Sequence, residues 1–394
     1  MISHQVAIIG AGTSGVSAAV ALADRGVKPL LVDRADQVGS SWRSRYDRLR
    51  LNTGRQFSHL PNRPYPSGTP TFPTRDQVID HIERHANEDG IELCLGCTAE
   101  RLDRADGHWR LTTSTGEVEA SQVVVATGFD HEPFIPDWPG RDEWPGGLIH
   151  SSQYRNPLPY NGKRVLVVGP GSSGMEIAYD LATGGAAKVW LAVRTPPNIM
   201  LRQGPGGIPG DFIATPLYHA PVRIADAIAR FSRRMDIGDL HEFGLPVPAE
   251  GIFARSSRLG VAPAILDKDV IAVIRDKFIE IVRGVGALDA AGVALADGTR
   301  INPDAMVCAT GFRRGLAQLV GHLGVLDERG WPTTTGEAPA ADGLRFIGFV
   351  PRPSQIGFAA KQARRGAQAI AQELRRSKQS SQDPIRGDTG RAGG

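Results

Sequence analysis

Two glycine triplets share the spacing G-x-G-x-x-G: Gly10, Gly12 and Gly15 open the chain, and Gly169, Gly171 and Gly174 lie near its middle. Phosphate binding is the chemistry such a run serves. The first glycine permits a tight turn, the second lets the backbone approach a pyrophosphate, and the third lets a helix pack closely on a strand. The helix N-terminus then faces the negative charge. Both flanks fit. Val6 to Ile9 is an apolar run, and Val16, Ala19, Val20 and Ala23 recur at helical spacing after the first triplet, which predicts strand, turn and helix in that order. Val165 to Val168 and then Met175, Ala178, Leu181 and Ala182 repeat the plan around the second triplet. Ser14 sits inside the first turn, Ser172 and Ser173 inside the second.

Two such turns on one chain imply two dinucleotides, and hence a flavoprotein that holds FAD beside a nicotinamide so that electrons pass between them. The residue ending the next strand separates the two. After Leu30-Leu31-Val32 comes Asp33, followed by Arg34; a carboxylate at that strand end accepts from ribose hydroxyls and suits FAD. After Val189 to Val193 comes Arg194, at the matching place in the second unit. A guanidinium there suits the 2′-phosphate of NADPH, the plain alternative being a solvated surface charge.

With 394 residues, 41% apolar and 22% charged, the chain has room for two or three globular domains. A formal charge of +3 without clusters gives no reason to expect nucleic acid, and no apolar run is long enough to cross a bilayer. Val6 to Ala23 ends in the small residues of a secretory leader, but no Lys or Arg precedes it. It reads fully as a nucleotide-binding unit, so a cytoplasmic location is expected. Three cysteines make no disulfide framework. Cys94 and Cys97 form a Cys-x-x-Cys on a predicted strand, not at a helix N-terminus that would stabilise a thiolate, and are expected to be small core or edge residues. His81 and His85 share one helix face with no third ligand in view; an exposed face is expected, and no metal site.

The stretch Trp144 to Tyr154, with Gly146, His150 and the closing aromatic Tyr154, resembles the identifying pattern of the class B flavoprotein monooxygenases, Phe-x-Gly-x-x-x-His-x-x-x-Phe or Tyr. Only the first aromatic differs. Tyr154 resembles the flavin-containing monooxygenase branch, where the Baeyer–Villiger branch has Trp. Gly39-Ser40-Ser41-Trp42 looks like the flavin-side loop of these enzymes, and Leu51-Asn52-Thr53 matches an Asn-Thr position that lies beside the flavin ring and bound oxygen in the family. Tyr46 to Pro61, Phe72-Pro73-Thr74-Arg75, Val193-Arg194-Thr195-Pro196 and Cys308 to Phe312 are similar to the YUCCA-type enzymes and their bacterial relatives. Two departures stand out: Asn52 where the YUCCA-type pattern has His, and Ser172 where Asn is usual.

The resemblance implies an α/β fold of two Rossmann-like dinucleotide-binding domains, with the NADPH domain (155–301) inserted into a discontinuous FAD domain (1–154 and 302–376), and the near absence of apolar residues from Ser377 on predicts a disordered tail (377–394). Ala126-Thr127-Gly128 and Ala309-Thr310-Gly311 mark the domain crossings, and a last helix opening after Pro353-Ser354-Gln355 turns its N-terminus to the flavin. His150 and Tyr154 are implied to set the linker against the nicotinamide. In such enzymes NADPH reduces FAD, oxygen adds at flavin C4a, and the (hydro)peroxide waits with NADP⁺ bound until a small molecule takes one oxygen atom. Asn52 is the residue implied to hold that oxygen. The reaction is N- or S-oxygenation or oxidative decarboxylation of a 2-oxo acid, with a Baeyer–Villiger oxygenation and an NADPH-flavin or disulfide reductase as alternatives. A homodimer would be a common assembly.

One further segment stands apart. Thr195 to Pro263 is rich in proline and glycine, as lids and binding loops often are. Within it Ile224, Ile228, Phe231 and Met235 form an apolar stripe beside Arg223, Arg230, Arg233 and Arg234. A basic amphipathic helix can lie on a membrane, but the ordinary expectation is that the stripe packs on its own protein.

Overall fold

Parallel strands joined through helices dominate the computed structural model, which describes residues 3–105, 107–351 and 354–382. In the first sheet the strand Ser3–Ile9 pairs in parallel with Pro29–Val32 on one side and Gly116–Val125 on the other. The strand order by first residue is 92, 29, 3, 116, 108, 99, with Leu344–Phe346 also parallel to Gly116–Val125. The runs Val6 to Ile9, Leu30 to Val32 and Val123 to Val125 within them are apolar because both faces of the sheet are covered there. One face meets Val16, Val20, Val78, Ile82 and the helix Gln355–Gln382, the other Leu102, Trp109, Leu319 and Phe349.

The second sheet is parallel throughout, in the order Ile279–Arg283, Lys188–Val193, Arg164–Val168, Ala305–Cys308, Gly147–His150. Two of its strands lie outside the 155–301 expected from the sequence. Gly147–His150 and Ala305–Cys308 bond to each other and to the second sheet, so that sheet takes in chain on both sides of the expected limits. Trp144 packs in its core with Leu166 and Met306, and Gly146 must be glycine because a Cβ there would fall 2.1 Å from the Trp144 ring.

Three other expectations change. The helix Gln355–Gln382 runs on into the segment expected to be disordered, and Ala359, Ala363, Ala367 and Ile370 are its buried stripe; Pro353 and 383–394 lie outside the described residues. His81 is not on an exposed face. It is 3% exposed and stacked on Tyr65 with ring centroids 4.1 Å apart, and burial pushes its pKa down to about 3. Finally, the stripe on the helix Val222–Asp236 faces outward: Ala225, Asp226 and Arg233 are buried, while Ile224, Ile228, Phe231 and Met235 are exposed. The excursion itself is ordered, with helices at Gly210–Leu217, Val222–Asp236 and Ile252–Leu259 between the paired strands Ile199–Leu201 and Ala264–Leu266.

Candidate active site

The two glycine turns are built alike. Gly10 and Gly169 hold φ of +106° and +111°, a region side chains avoid. A Cβ on Gly15 or Gly174 would lie 1.7 or 1.8 Å from the carbonyl oxygen of Gly10 or Gly169. Behind each turn stands one of the Ala-Thr-Gly segments: the N–H of Ala126 donates to Ile9 at 2.8 Å, and that of Ala309 to Val168 at 2.8 Å.

A cavity of about 710 Å³ opens on the first turn, lined by Gly10, Gly12 and Ser14 and by Asp33, Arg34, Ser41, Trp42, Asn52, Thr127 and Gln355. From the second turn Ser172 and Ser173 reach it. Gly15, Gly169, Gly171, Gly174, His150, Tyr154 and Arg194 are not part of its wall. Asp33 is held in place by the chain, accepting from the N–H of Ala11 at 2.6 Å and of Ala35 at 2.9 Å. A dinucleotide fits this wall. Besides the glycine cradle, Thr127 Oγ1 and His131 Nδ1 are buried without a partner among the described residues, and both residues line the cavity; a polar ligand satisfies such groups. Burial, with Arg34 nearby, keeps the pKa of His131 below the usual histidine value.

Asn52 lies where the two units meet. Its Oδ1 accepts from Arg202 Nη2 at 3.1 Å. Because arginine has no acceptor, this contact fixes which end of the amide faces it, and the Asn52 NH₂ is left as a donor. Arg202 is only 4% exposed. It also donates to Glu176 at 3.0 Å and to Asp267. Glu176 belongs to the helix Ser172–Thr183 that follows the second glycine turn. Its burial raises the carboxyl pKa against the pull of Arg202 and Arg48. Arg48 lies 3.8 Å from both Glu176 and Asp180, and Asp180 accepts from the Tyr154 hydroxyl at 2.8 Å. Thus the second helix, the excursion and the loop carrying Asn52 share one hydrogen-bonded charge network, the condition under which buried charges are tolerated.

His150 is buried and ties the crossings together: Nδ1 meets Ser152 Oγ at 2.9 Å and Nε2 meets the Gly311 carbonyl at 3.0 Å. Burial keeps its pKa low. Arg194 ends its strand exposed, with no ion pair among the described residues. Cys97 lies beside Asp33, its N–H donating to the Asp33 carbonyl at 2.8 Å. Burial lifts Cys94 to about 11, which suppresses its thiolate.

Arg202 and Glu176 were not singled out from the sequence. Glu176 carried a signal, a carboxylate between Met175 and Ile177 on a helix whose other neighbours are apolar. Arg202 carried none, since its partners Glu176, Asp267 and Asn52 all lie far from it along the chain.

Two like-built glycine turns, with one cavity on the first that Ser172 and Ser173 of the second also line, give the fold of a dinucleotide-binding protein. A family model described as pyridine nucleotide-disulphide oxidoreductase matches residues 7–200. The chain is 35% identical over 326 residues to the indole-3-pyruvate monooxygenase YUCCA1 of Oryza sativa subsp. japonica, covering 82% of this chain and 80% of the relative. The flavin-containing monooxygenase from Stenotrophomonas maltophilia has a similar fold, with a TM-score of 0.72 at 20% identity over 95% of this chain and 100% of that one. So does a cyclohexanone monooxygenase bound to ε-caprolactone, with a TM-score of 0.72 at 18% identity over 95% and 88%. The chain belongs to the class B flavin-containing monooxygenases, with the YUCCA enzymes among its relatives. It is therefore an oxidoreductase that uses flavin and nicotinamide cofactors.

Proposed function

We propose that this enzyme holds FAD on the first turn, takes NADPH on the second, and uses O₂ to oxygenate a small 2-oxo acid with loss of CO₂. The balance is 2-oxo acid, O₂, NADPH and a proton giving the shortened acid, CO₂, water and NADP⁺. The 2-oxo acid class rests on the curated relatives, named for indole-3-pyruvate. N- or S-oxygenation is the second reading, favoured by Asn52 standing where the YUCCA-type pattern has His. Tyr154 weighs against a Baeyer–Villiger reaction, whose enzymes have Trp there. In domain terms, the second sheet is a nicotinamide domain inserted into a discontinuous flavin domain.

One observation carries the reading: Asn52, on the wall of the cavity that both turns reach, is oriented by a buried arginine so that its amide keeps a donor free. Reduced flavin supplies the electrons that activate O₂. The chain's own part is to orient and to exclude water. Asn52 offers a directed N–H to an oxygen acceptor, and the low-exposure network around Arg202 keeps bulk solvent from that side. Arg194 meets the 2′-phosphate. The disulfide-reductase alternative needs Cys94 and Cys97 near the reacting end, but Cys97 bonds to Asp33, on the ribose side of the cradle.

Anaerobic NADPH is expected to bleach the flavin, and O₂ to produce a transient absorbing near the blue edge of the visible range. A panel of 2-oxo acids, amines, sulfides and ketones, scored by product formed, then identifies the class. Direct reoxidation without the transient would refute the oxygenase reading.

A further inference from the structure

Eleven of the thirteen large apolar side chains that stand exposed among the described residues fall between Ile208 and Val261, inside one excursion of the second unit. Scattered exposed apolar residues are normal, whereas a concentration of them marks an interaction surface. Its spine is the helix Val222–Asp236, which inverts the usual arrangement of an amphipathic helix. Ala225, Asp226 and Arg233 face the protein, and Ile224, Ile228, Phe231 and Met235 face out, the last two 68% and 70% exposed.

The charges along that helix point to the occupant. Arg223, Arg230 and Arg234 are exposed. Of its carboxylates, Asp226 is buried and accepts from the N–H of Phe253 at 2.8 Å and of Ala254 at 3.3 Å, and Asp236, half-exposed at the last residue, accepts from Ser232 of the same helix at 2.8 Å. The outer face is therefore apolar in the middle and cationic beside it. A second copy of the chain docked on this face by a twofold axis would set three arginines against three, with half-exposed Asp236 the one carboxylate of the helix not buried. An anionic lipid surface answers both features at once, taking the apolar stripe at the acyl boundary while the guanidinium groups meet phosphates.

We propose that the outer face of the helix Val222–Asp236 docks this enzyme peripherally on an anionic phospholipid membrane. No helix among the described residues is long and apolar enough to cross one, so the attachment is in-plane and reversible. The excursion also supplies Ala262 and Pro263 to the cavity wall, next to Ile265 of the strand that follows it, so docking places the bilayer against the element that borders the site. The inference stands independently of the proposed reaction, since binding is read without turnover.

The test is co-sedimentation of the full-length, flavin-loaded protein with vesicles of phosphatidylcholine alone or mixed with phosphatidylglycerol. Pelleting with the mixed vesicles and release by salt are expected. The double variant F231S/M235S should lower partitioning by about tenfold or more, and R223Q/R230Q/R234Q by about a hundredfold, at roughly fivefold for each charge. Both variants should keep their flavin and their rate of NADPH oxidation, which shows that they fold. Three results would overturn the proposal: wild-type protein that stays in the supernatant with both vesicles, F231S/M235S binding as well as wild type, or a dimer in sedimentation velocity that this double variant dissociates.

Discussion

The two glycine turns share a backbone and differ in their surroundings. At the first, Gly12 is half-buried, Ser14 is buried, and the following strand ends in a carboxylate held by the Ala11 N–H. The helix Gln355–Gln382 closes over it, with Gln355 and Ile356 on the cavity wall. At the second, Gly171 is exposed, a Cβ on it would meet nothing within 4 Å, and the strand ends in exposed Arg194. On the proposed reading, the same phosphate cradle would serve two residence times. An enclosed turn suits a ligand that stays through many turnovers, and an open one suits a ligand that exchanges, because the enclosed site must open before release.

The largest effect that sharpens this contrast is expected from the third glycines. Gly15→Ala should yield colourless protein, because a Cβ 1.7 Å from the Gly10 carbonyl oxygen has nowhere to go. Gly174→Ala should leave the protein yellow but unbleached by anaerobic NADPH. Equal flavin loss in both, read as the flavin-to-protein absorbance ratio, would break the comparison.

Next come the residues joining the units. Asn52→Ala should keep its flavin and its reduction by NADPH, yet shorten the transient seen after O₂ mixing by about a hundredfold, the scale of one lost directed donor. Arg202→Lys keeps the charge but loses the fork, and should move the same decay in the same direction. Unchanged decay in stopped-flow absorbance would remove Asn52 from that role.

Acid should affect the two units oppositely. His81, under the first sheet, keeps its proton off down to about pH 3, whereas a histidine in the unfolded chain takes one near 6.5. The unfolded state therefore gains protons first as pH falls, and the contribution of His81 to stability, complete above that unfolded value, drops by about 2 kcal/mol at about pH 5. In the second unit, burial raises Glu176, so its native form binds a proton more readily than the unfolded one, and acid relieves its burial. His81→Leu should flatten the pH dependence of flavin release on heating between pH 7 and 5. A slope equal to wild type would show that His81 does not govern it.

The smallest effect concerns the outer turn. Arg194→Ser should raise KM for NADPH about tenfold, the value of one charge-assisted contact, and leave KM for NADH unchanged. Initial rates with both nucleotides decide it.

What the sequence revealed was whatever depends on neighbours along the chain. The glycine triplets, Asp33, the last helix and the stripe on Val222–Asp236 all follow from spacing, and each is present. A stripe reports a period, however, and not what faces it, so the packed orientation expected for Ile224 and Phe231 was reversed. His81 shows the same limit, since its burial depends on Tyr65, brought over it from an earlier segment. The Arg202 network was hidden because it joins four separate parts of the chain. The limits of the second unit shifted because Gly147–His150 and Ala305–Cys308, which enclose nearly all of that unit in the chain, pair with each other.

That pairing has a mechanical consequence. The outgoing and returning passages between the units run as adjacent strands, and a single imidazole, His150, bolts one to the carbonyl of Gly311 in the other. Neither passage can slide without carrying its neighbour. Any swing of the second unit would therefore carry both passages as one leaf about a common hinge, with shear between them opposed while the bolt holds.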